Sequence, residues 1–591
     1  MLDLLRPDLR ARTTPTGVVY EATTPLPSPA RCVGDWLVRW AAERPESPWL
    51  AERQPNGSWG HLSYAEGAAA VESIGAALLE LGAAPDRPVA TLSDNAIDAA
   101  LISLGAMSVG VPVAPVSPAY SLQSATFARL RHVFDVLRPA VVYADDPDRF
   151  GPALRAVASE AALVSSRGGK LQVEAGGSSL REATPSATAR RAFATLGPDT
   201  VAKILFTSGS TGAPKGVVNT QRMLTANQES LFATWPFLAA RPPVVVDWLP
   251  WSHTFGGNHN FFLVLRNGGT LYVDRGRPAP GLVELTVQNL ADVGPTLWFN
   301  VPRGFDQALP LLEADPGLAR AVFARLDLVF YAAAALSPAT RQRLERVAER
   351  AGRADVFFTS AWGSTETAPL STSAHFPTRT TGILGVPVPG VQVKLAPVQD
   401  RFELRVRGPN VTPGYWRPGG GLEAPPLDPD GFLPTGDAAR LADPDVPEAG
   451  VVFVGRLGEN FKLASGTWVN VASVRLALVD AAAPWVLDVV IAGHDRDALG
   501  ALVFPSSAGA ALAPPELRDR IRDALRAHAA AHPGASERVE RALIADRPLS
   551  LDAGETTDKG YTNQRAVLDH RSDDVARLFS DDPAVIAPAN T

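Results

Sequence analysis

The β-prone run Val201–Phe206 passes directly into Thr207-Ser-Gly-Ser-Thr-Gly-Ala-Pro-Lys-Gly216, and no other stretch constrains the fold as much. A largely apolar run of this length reads as a strand inside a covered sheet, with the following residues turning back at its end. Glycines let the backbone bend so that successive N–H groups face an anion, while hydroxyls and an ammonium add donors. The segment is therefore built to hold a polyphosphate. It is not the Walker pattern, because no Gly-Lys-Ser/Thr closes it and no helix has to begin there. The competing reading is a flexible Ser/Gly surface turn.

The surrounding chain supports an α/β core. Tyr64–Gly82 has apolar residues at helical spacing and stops at a glycine, and Ala140–Tyr143 reads as a short buried strand. Strand-like runs recur at Val244–Leu249, Thr270–Val273, Thr296–Asn300, Leu328–Tyr331 and Val356–Thr359, with a Ser337-Pro338 cap opening a helix towards Gly352. Ser165–Thr188, rich in small residues, reads as a mobile surface excursion. The Pro, Asp and Gly-rich stretch 423–447 marks the approach to a boundary. Beyond it, strands at Val486–Ala492, Ala501–Phe504 and Ala542–Ile544 and a helix bearing Leu517, Ile521 and Leu525 make a small α+β domain. The expected plan is a large multi-subdomain N-terminal domain, residues 1–457, and a small mobile α+β C-terminal domain, residues 458–591.

At 591 residues the chain exceeds one ordinary core. Its net charge of −7, with acids and bases interspersed, gives no nucleic-acid surface. One cysteine, Cys32, excludes an internal disulfide and fits a reducing compartment. The N-terminus lacks a secretory apolar run and no stretch is long and uncharged enough to span a bilayer, so a cytoplasmic location is expected.

Several later segments carry chemistry. Asp247-Trp-Leu-Pro-Trp-Ser-His-Thr-Phe-Gly-Gly-Asn258 delivers His253 and Phe255 from a strand end into a turn loosened by Gly256 and Gly257. A metal site pairing His253 with His259 has neither helix nor strand spacing and no evident third ligand. Tyr331-Ala-Ala-Ala-Ala-Leu336 puts small side chains at a strand end, where a flat ring could reach the main chain or the strand could pack tightly. Trp362-Gly-Ser-Thr-Glu366 joins an aromatic face to a carboxylate, an oxygen ligand of the kind Mg²⁺ takes. Thr435-Gly-Asp437 and Gly455-Arg456 say little alone. Lys559, in Glu555-Thr-Thr-Asp-Lys-Gly560, is by default a solvated charge.

Taken in order, these segments resemble the adenylate-forming superfamily of acyl-CoA synthetases, peptide-synthetase adenylation domains and luciferases, over about residues 40 to 570. The resemblance implies that Thr207, Ser208, Gly209, Ser210, Thr211, Gly212 and Lys215 hold the ATP phosphates. It places Ala332, Ala333 and Ala334 against adenine, with Trp362, Gly363 and Ser364 beside it. Thr365 would touch the α-phosphate and Glu366 would bind Mg²⁺. His253, Phe255, Phe299 and Tyr331 would line the acid pocket. Asp437 and Arg456 would take the ribose, Gly458 the hinge, and Lys559 would bridge the carboxylate and the α-phosphate. Phe461–Trp468 would meet CoA, with Gly466 leaving room for its pantetheine arm. The sequence departs from the family at Trp362, commonly tyrosine, at Gly458, commonly Asp or Lys, and in the residues around Lys559.

The implied activity is an AMP-forming, ATP-dependent acid–CoA ligase using Mg²⁺, ATP and CoA, as a monomer or homodimer. Pro115–Ser121, the Trp251–Asn260 run, Tyr331–Ala335, Phe461–Trp468, Ala492–Asp497 and Thr557–Tyr561 resemble the bacterial feruloyl-CoA synthase branch, which implies ferulate or another hydroxycinnamate. The alternatives are a ligase for fatty or other aryl acids, an enzyme loading a carrier protein, and an inactive nucleotide-binding protein.

Overall fold

A computed structural model describes residues 2–157, 160–166, 170–175, 177–207, 213–557, 560 and 562–588. The chain forms two compact units. The first comprises residues 1–394, 405–434 and 441–452, and the second 395–404, 435–440 and 453–591. The linear division expected after residue 457 differs from this packing, which gives the second unit two earlier segments.

The first unit is built on two sheets. One runs in the order Gly421–Glu423, Tyr415–Arg417, Lys215–Thr220, Val201–Thr207, Val113–Val116, Val89–Leu92, Val141–Ala144, Ala162–Ser165 and Gln172–Val173. Its centre is parallel, and the strands 89–92, 113–116 and 141–144 are buried at every position, as strands covered on both faces must be. Leu130, Val133, Phe134 and Leu137, one face of helix Ala128–Leu137, close its core.

The second sheet of this unit contains a parallel run of Thr270–Val273, Val244–Asp247, Leu297–Asn300, Leu328–Tyr331 and Phe357–Gly363. Val246, Trp298, Val329 and Tyr331 point to one side, under the helices Val283–Val293, Pro302–Ala314, Pro316–Phe323 and Pro338–Arg350. Helix starts follow local chemistry: Ser63 and Glu66 form a reciprocal cap before helix Tyr64–Glu80, and Ser337 accepts from the Thr340 N–H at 3.1 Å. The stretch expected to be a surface excursion is partly internal. Leu171 and Leu180 are each 1% exposed, and Gln172–Val173 pairs with Val164 and Ser165.

In the second unit, Val486–Ala492 and Leu499–Pro505 pair antiparallel and Val539–Ile544 adds in parallel. Strand alternation divides the core. Val489 and Ile491 meet Leu517, Ile521 and Leu525 of helix Pro514–Ala531, while Val490 and Ala492 meet Val567 and Leu578. Among the described residues no helix is long and apolar enough to cross a membrane.

Candidate active site

Strands Val201–Thr207 and Lys215–Thr220 form an antiparallel hairpin in which Phe206 faces Gly216 and Thr207 faces Lys215. The intervening Ser208, Gly209, Ser210, Thr211 and Gly212 lie outside the described residues. Thr207 and Lys215 therefore mark the mouth of the expected phosphate loop.

Glu366 is brought to the same region by a network of buried polar side chains. It sits in a tight turn, Thr365–Thr367, following strand Phe357–Gly363. The Glu366 carbonyl accepts from the Thr412 N–H at 2.8 Å, while the Thr412 hydroxyl donates to the Val218 carbonyl at 2.7 Å, in the strand that opens with Lys215. Asn410 Nδ2 donates to the carbonyls of Thr367 and Leu370 at 3.0 Å each, and Asn227 Nδ2 to that of Leu370 at 2.8 Å. Thr365 is buried, and the Ser364 N–H donates to Thr367 Oγ1 at 2.9 Å. Gly363 is required here, because a Cβ would lie 1.8 Å from the Pro369 carbonyl oxygen. Trp362, buried, pairs across with Thr372.

Tyr415, absent from the sequence-based set, joins Glu366 and Lys215. It pairs with Val217, and Lys215 Nζ stands 5.1 Å from the centre of its ring. Burial and the nearby charges of Glu366 and Glu423 push its hydroxyl up to about 12. The only signal in the sequence was an aromatic after a glycine, Gly414, and its pairing partner could not be read from there.

Ala332 is half-buried and Ala333 and Ala334 are exposed just past strand Leu328–Tyr331. Ala333 has φ +72°, the left-handed region that costs a non-glycine residue about 1–2 kcal/mol, so a strained, accessible backbone follows this strand.

The turn after Asp247 is tighter than expected. Phe255–Asn260 is a π-helical turn, a rare element concentrated at functional sites. Gly256 and Gly257 are there for close approach and do not loosen it: a Cβ on either would sit 2.2 Å from the carbonyl oxygen of Leu249 or Trp251. His253 is half-buried, and its Nδ1 accepts from the Phe255 N–H at 3.2 Å, which leaves Nε2 to carry the proton of a neutral ring.

Phe255 and Phe299 close over His259, at ring separations of 5.8 and 5.5 Å, and Phe330 stacks on His259 at 5.0 Å. Burial pushes His259 down to about 4, so its ring is neutral. Tyr331 was expected beside Phe255 and Phe299, but strand alternation turns its ring to the opposite face, into the helix-covered core. Phe330 takes the expected place. Among the described residues no group of three or more His, Cys, Asp or Glu could hold a metal.

In the second unit, Arg456 Nε lies 2.9 Å from Asp437 Oδ1. Gly458 has open space around it and a φ available to other residues, so local geometry does not demand glycine there. Phe461–Lys462 and Trp468–Val469 pair as a small hairpin, with Gly466 at φ +82° in its turn. Lys559 lies outside the described residues, but the ends of its loop are anchored. Thr556 and Thr562 bridge, and buried Glu555 receives two hydrogen bonds from Arg571 at 2.8 and 2.7 Å.

This architecture has solved counterparts. The adenylation domain of a carboxylate reductase from Mycobacterium chelonae matches over 94% of this chain and 92% of its own, with TM-score 0.70 and 21% identity. ATP-bound MatB from Rhodopseudomonas palustris matches over 92% of this chain and 99% of its own, with TM-score 0.66 and 21% identity. The fold is that of the adenylate-forming enzymes.

Residues 37–416 match the AMP-binding enzyme family and residues 461–582 the AMP-binding enzyme C-terminal domain. The chain belongs to the AMP-binding enzyme family. It is 33% identical over 261 residues to the long-chain-fatty-acid–CoA ligase of Salmonella typhimurium, a match covering 41% of this chain and 43% of that one. It is 26% identical over 468 residues to the carboxylic acid reductase of Mycobacterium tuberculosis, covering 69% and 36%. The chain thus spans less than half the length of these two relatives.

Proposed function

We propose that the protein is an AMP-forming acid–CoA ligase that activates a hydroxycinnamate such as ferulate. The observation that carries the reading is the meeting of Lys215, Tyr415 and Glu366 at the mouth of the Thr207–Lys215 hairpin. An ammonium and a half-exposed carboxylate at one phosphate-type loop suit a nucleotide polyphosphate arriving with a divalent cation.

The donor set fits Mg²⁺, which often takes one or two protein carboxylates and completes its shell with phosphate oxygens and water. Glu366 would hold it, and the ion would neutralise charge on the departing pyrophosphate. The chain's own residues do the rest. Thr207, Ser208, Gly209, Ser210, Thr211, Gly212 and Lys215 hold the β- and γ-phosphates, and Thr365 holds the α-phosphate. Ala332, Ala333, Ala334, Trp362, Gly363 and Ser364 form the adenine surface, with Asp437 and Arg456 assigned to the ribose. Lys559 draws the carboxylate towards the α-phosphorus. A carboxylate oxygen attacks that phosphorus as its bond to the bridging oxygen breaks, giving an acyl-adenylate and pyrophosphate. The CoA thiol then attacks the acyl carbon and AMP leaves. His253, with Phe255 and Phe299, belongs to the acid side, Gly466 to the pantetheine side, and Gly458 to the hinge between the two half-reactions.

The test is pyrophosphate and AMP release with Mg-ATP over ferulate, 4-coumarate, caffeate, benzoate and fatty acids, with and without CoA. Hydroxycinnamate-dependent release completed only with CoA is expected. Turnover confined to fatty acids would keep the ligase and remove the aromatic substrate. That result is the second reading, favoured by the similarity to the Salmonella typhimurium enzyme. Silence with every acid would overturn the activity. Lys559→Ala should lower acyl-adenylate formation by roughly 10²–10³, while thioester formation from supplied acyl-adenylate survives. Unchanged pyrophosphate release would remove Lys559 from the chemistry.

A further inference from the structure

Beside the π turn lies a cavity of about 170 Å³, walled by Trp248, Trp251, Phe261 and Phe262 and floored by Lys203. That volume is close to one that accepts a single benzene ring. Its wall is a built one: Asn95 donates to the Leu249 carbonyl and accepts from the Trp251 N–H, both at 2.9 Å. Ser252 and Gly257 also line it, on either side of His253 in the chain, so the cavity borders the turn assigned to the acid.

Two donors among its lining residues lack a full set of hydrogen-bond partners. Lys203 is 4% exposed and its Nζ donates to the Gly257 carbonyl at 2.9 Å, while an ammonium has three protons to place. Trp251 is 8% exposed and its buried indole N–H has no acceptor. The carboxylates in the lining are committed elsewhere. Asp274 accepts from the Gly276 N–H, Thr286 and Asn289 at 2.8, 2.6 and 2.9 Å, and Asp94 pairs with Arg149 at 2.6 Å. Burial alone pushes Lys203 down, to about 7. A group held at such a cost, in one lining with a second donor-only group, calls for an oxygen acceptor from outside the chain.

We propose that this cavity receives the far end of the acid, a phenolic ring whose oxygen accepts from Lys203 and Trp251, so that Lys203 is a specificity-determining residue. The assignment rests on the ligase reading above. It also disfavours a fatty acid, since an alkyl chain would bury the ammonium further and offer it nothing.

Two measurements decide it. In pyrophosphate release, wild type should prefer 4-coumarate to cinnamate by about tenfold or more in kcat/KM, and Lys203→Met should bring that ratio to within about twofold. In titration calorimetry with Mg-ATP absent, wild type should bind 4-ethylphenol about tenfold more tightly than 4-ethylanisole, and Lys203→Met should erase the difference. Trp251→Phe, which keeps the aromatic wall, should lessen it and serves if Lys203→Met fails to fold. Equal binding of the two probes by wild type, or a coumarate preference that survives Lys203→Met, would overturn the assignment even if adenylation proceeds. Preferential phenol binding through Lys203 with no acid adenylated would keep the site and sink the ligase reading.

Discussion

Lys203 shows how a single charge sets a measurable property of the protein. Its ammonium is pushed down from 10.5 to about 7 by burial. Between those values the unfolded chain holds more protons than the folded one, so this group's contribution to stability rises with pH across that window. The penalty is therefore full below pH 7 and gone above 10.5. Lys203→Met should raise the melting temperature by roughly 3 °C at pH 6 and leave it unchanged near pH 10.5. Calorimetric scans at the two values check this, and an equal shift at both would refute it. Nothing in the pattern Val-Ala-Lys-Ile-Leu-Phe disclosed that the lysine lines a cavity, because one strand read alone does not say what covers either side. Tyr331 fell to the same gap. Its strand was legible to the residue, but which face carries Phe255 and Phe299 depended on helices placed elsewhere in the chain.

At the scale of elements, the Glu366 turn is set in place by side chains that no motif contains. Asn410 joins the Thr367 carbonyl of the turn to the Leu370 carbonyl of the next strand, and Thr412 ties the turn to the strand bearing Lys215. Asn410→Ala leaves those buried acceptors short and should cost about 1–3 kcal/mol. Adenylation should fall in kcat more than ATP affinity does, which single-turnover assays with and without excess ATP will separate. In the second unit, the Glu555–Arg571 pair anchors the loop bearing Lys559, and both side chains are under a tenth exposed. Glu555→Ala leaves the buried guanidinium on the carbonyls of Arg547 and Pro548 with no counter-charge and should destabilise that unit by about 3 kcal/mol, measured by denaturant unfolding of the second transition. Glu366 itself entered through the resemblance of Trp362–Glu366 to a family segment, and its part in holding Mg²⁺ is a proposal. Its anchors were not legible, since Asn410 and Thr412 lie over forty positions downstream in unremarked sequence.

For the whole chain, the α/β plan was readable because short strands buried on both faces leave uninterrupted apolar runs, such as Leu-Val-Phe-Tyr and Val-Val-Tyr-Ala. The interleaving of the two units was not, because segments 395–404 and 435–440 carry no compositional mark of the unit they join. A linear boundary cannot express it. Even so, the main cluster of the second unit draws only on residues from Phe461 to Ile586. Residues 458–591 expressed alone should therefore fold cooperatively, with a sigmoidal melt by circular dichroism. A broad, featureless melt would show that the two earlier segments are needed.

The π turn gives the protein an unusual route to change. A residue in an α-helix advances the chain by about 100° around the axis, and a π turn holds one residue more than the α-helical phase needs. Loss of a single codon between His253 and His259 would restore that phase and swing one flank of the turn against the other, without altering the sheets. The aromatic cluster and the Lys203 cavity both border this turn. On the assignment of this turn to the acid proposed above, a gain or loss of length should reset substrate range, a step that point substitution at the pocket walls does not reproduce.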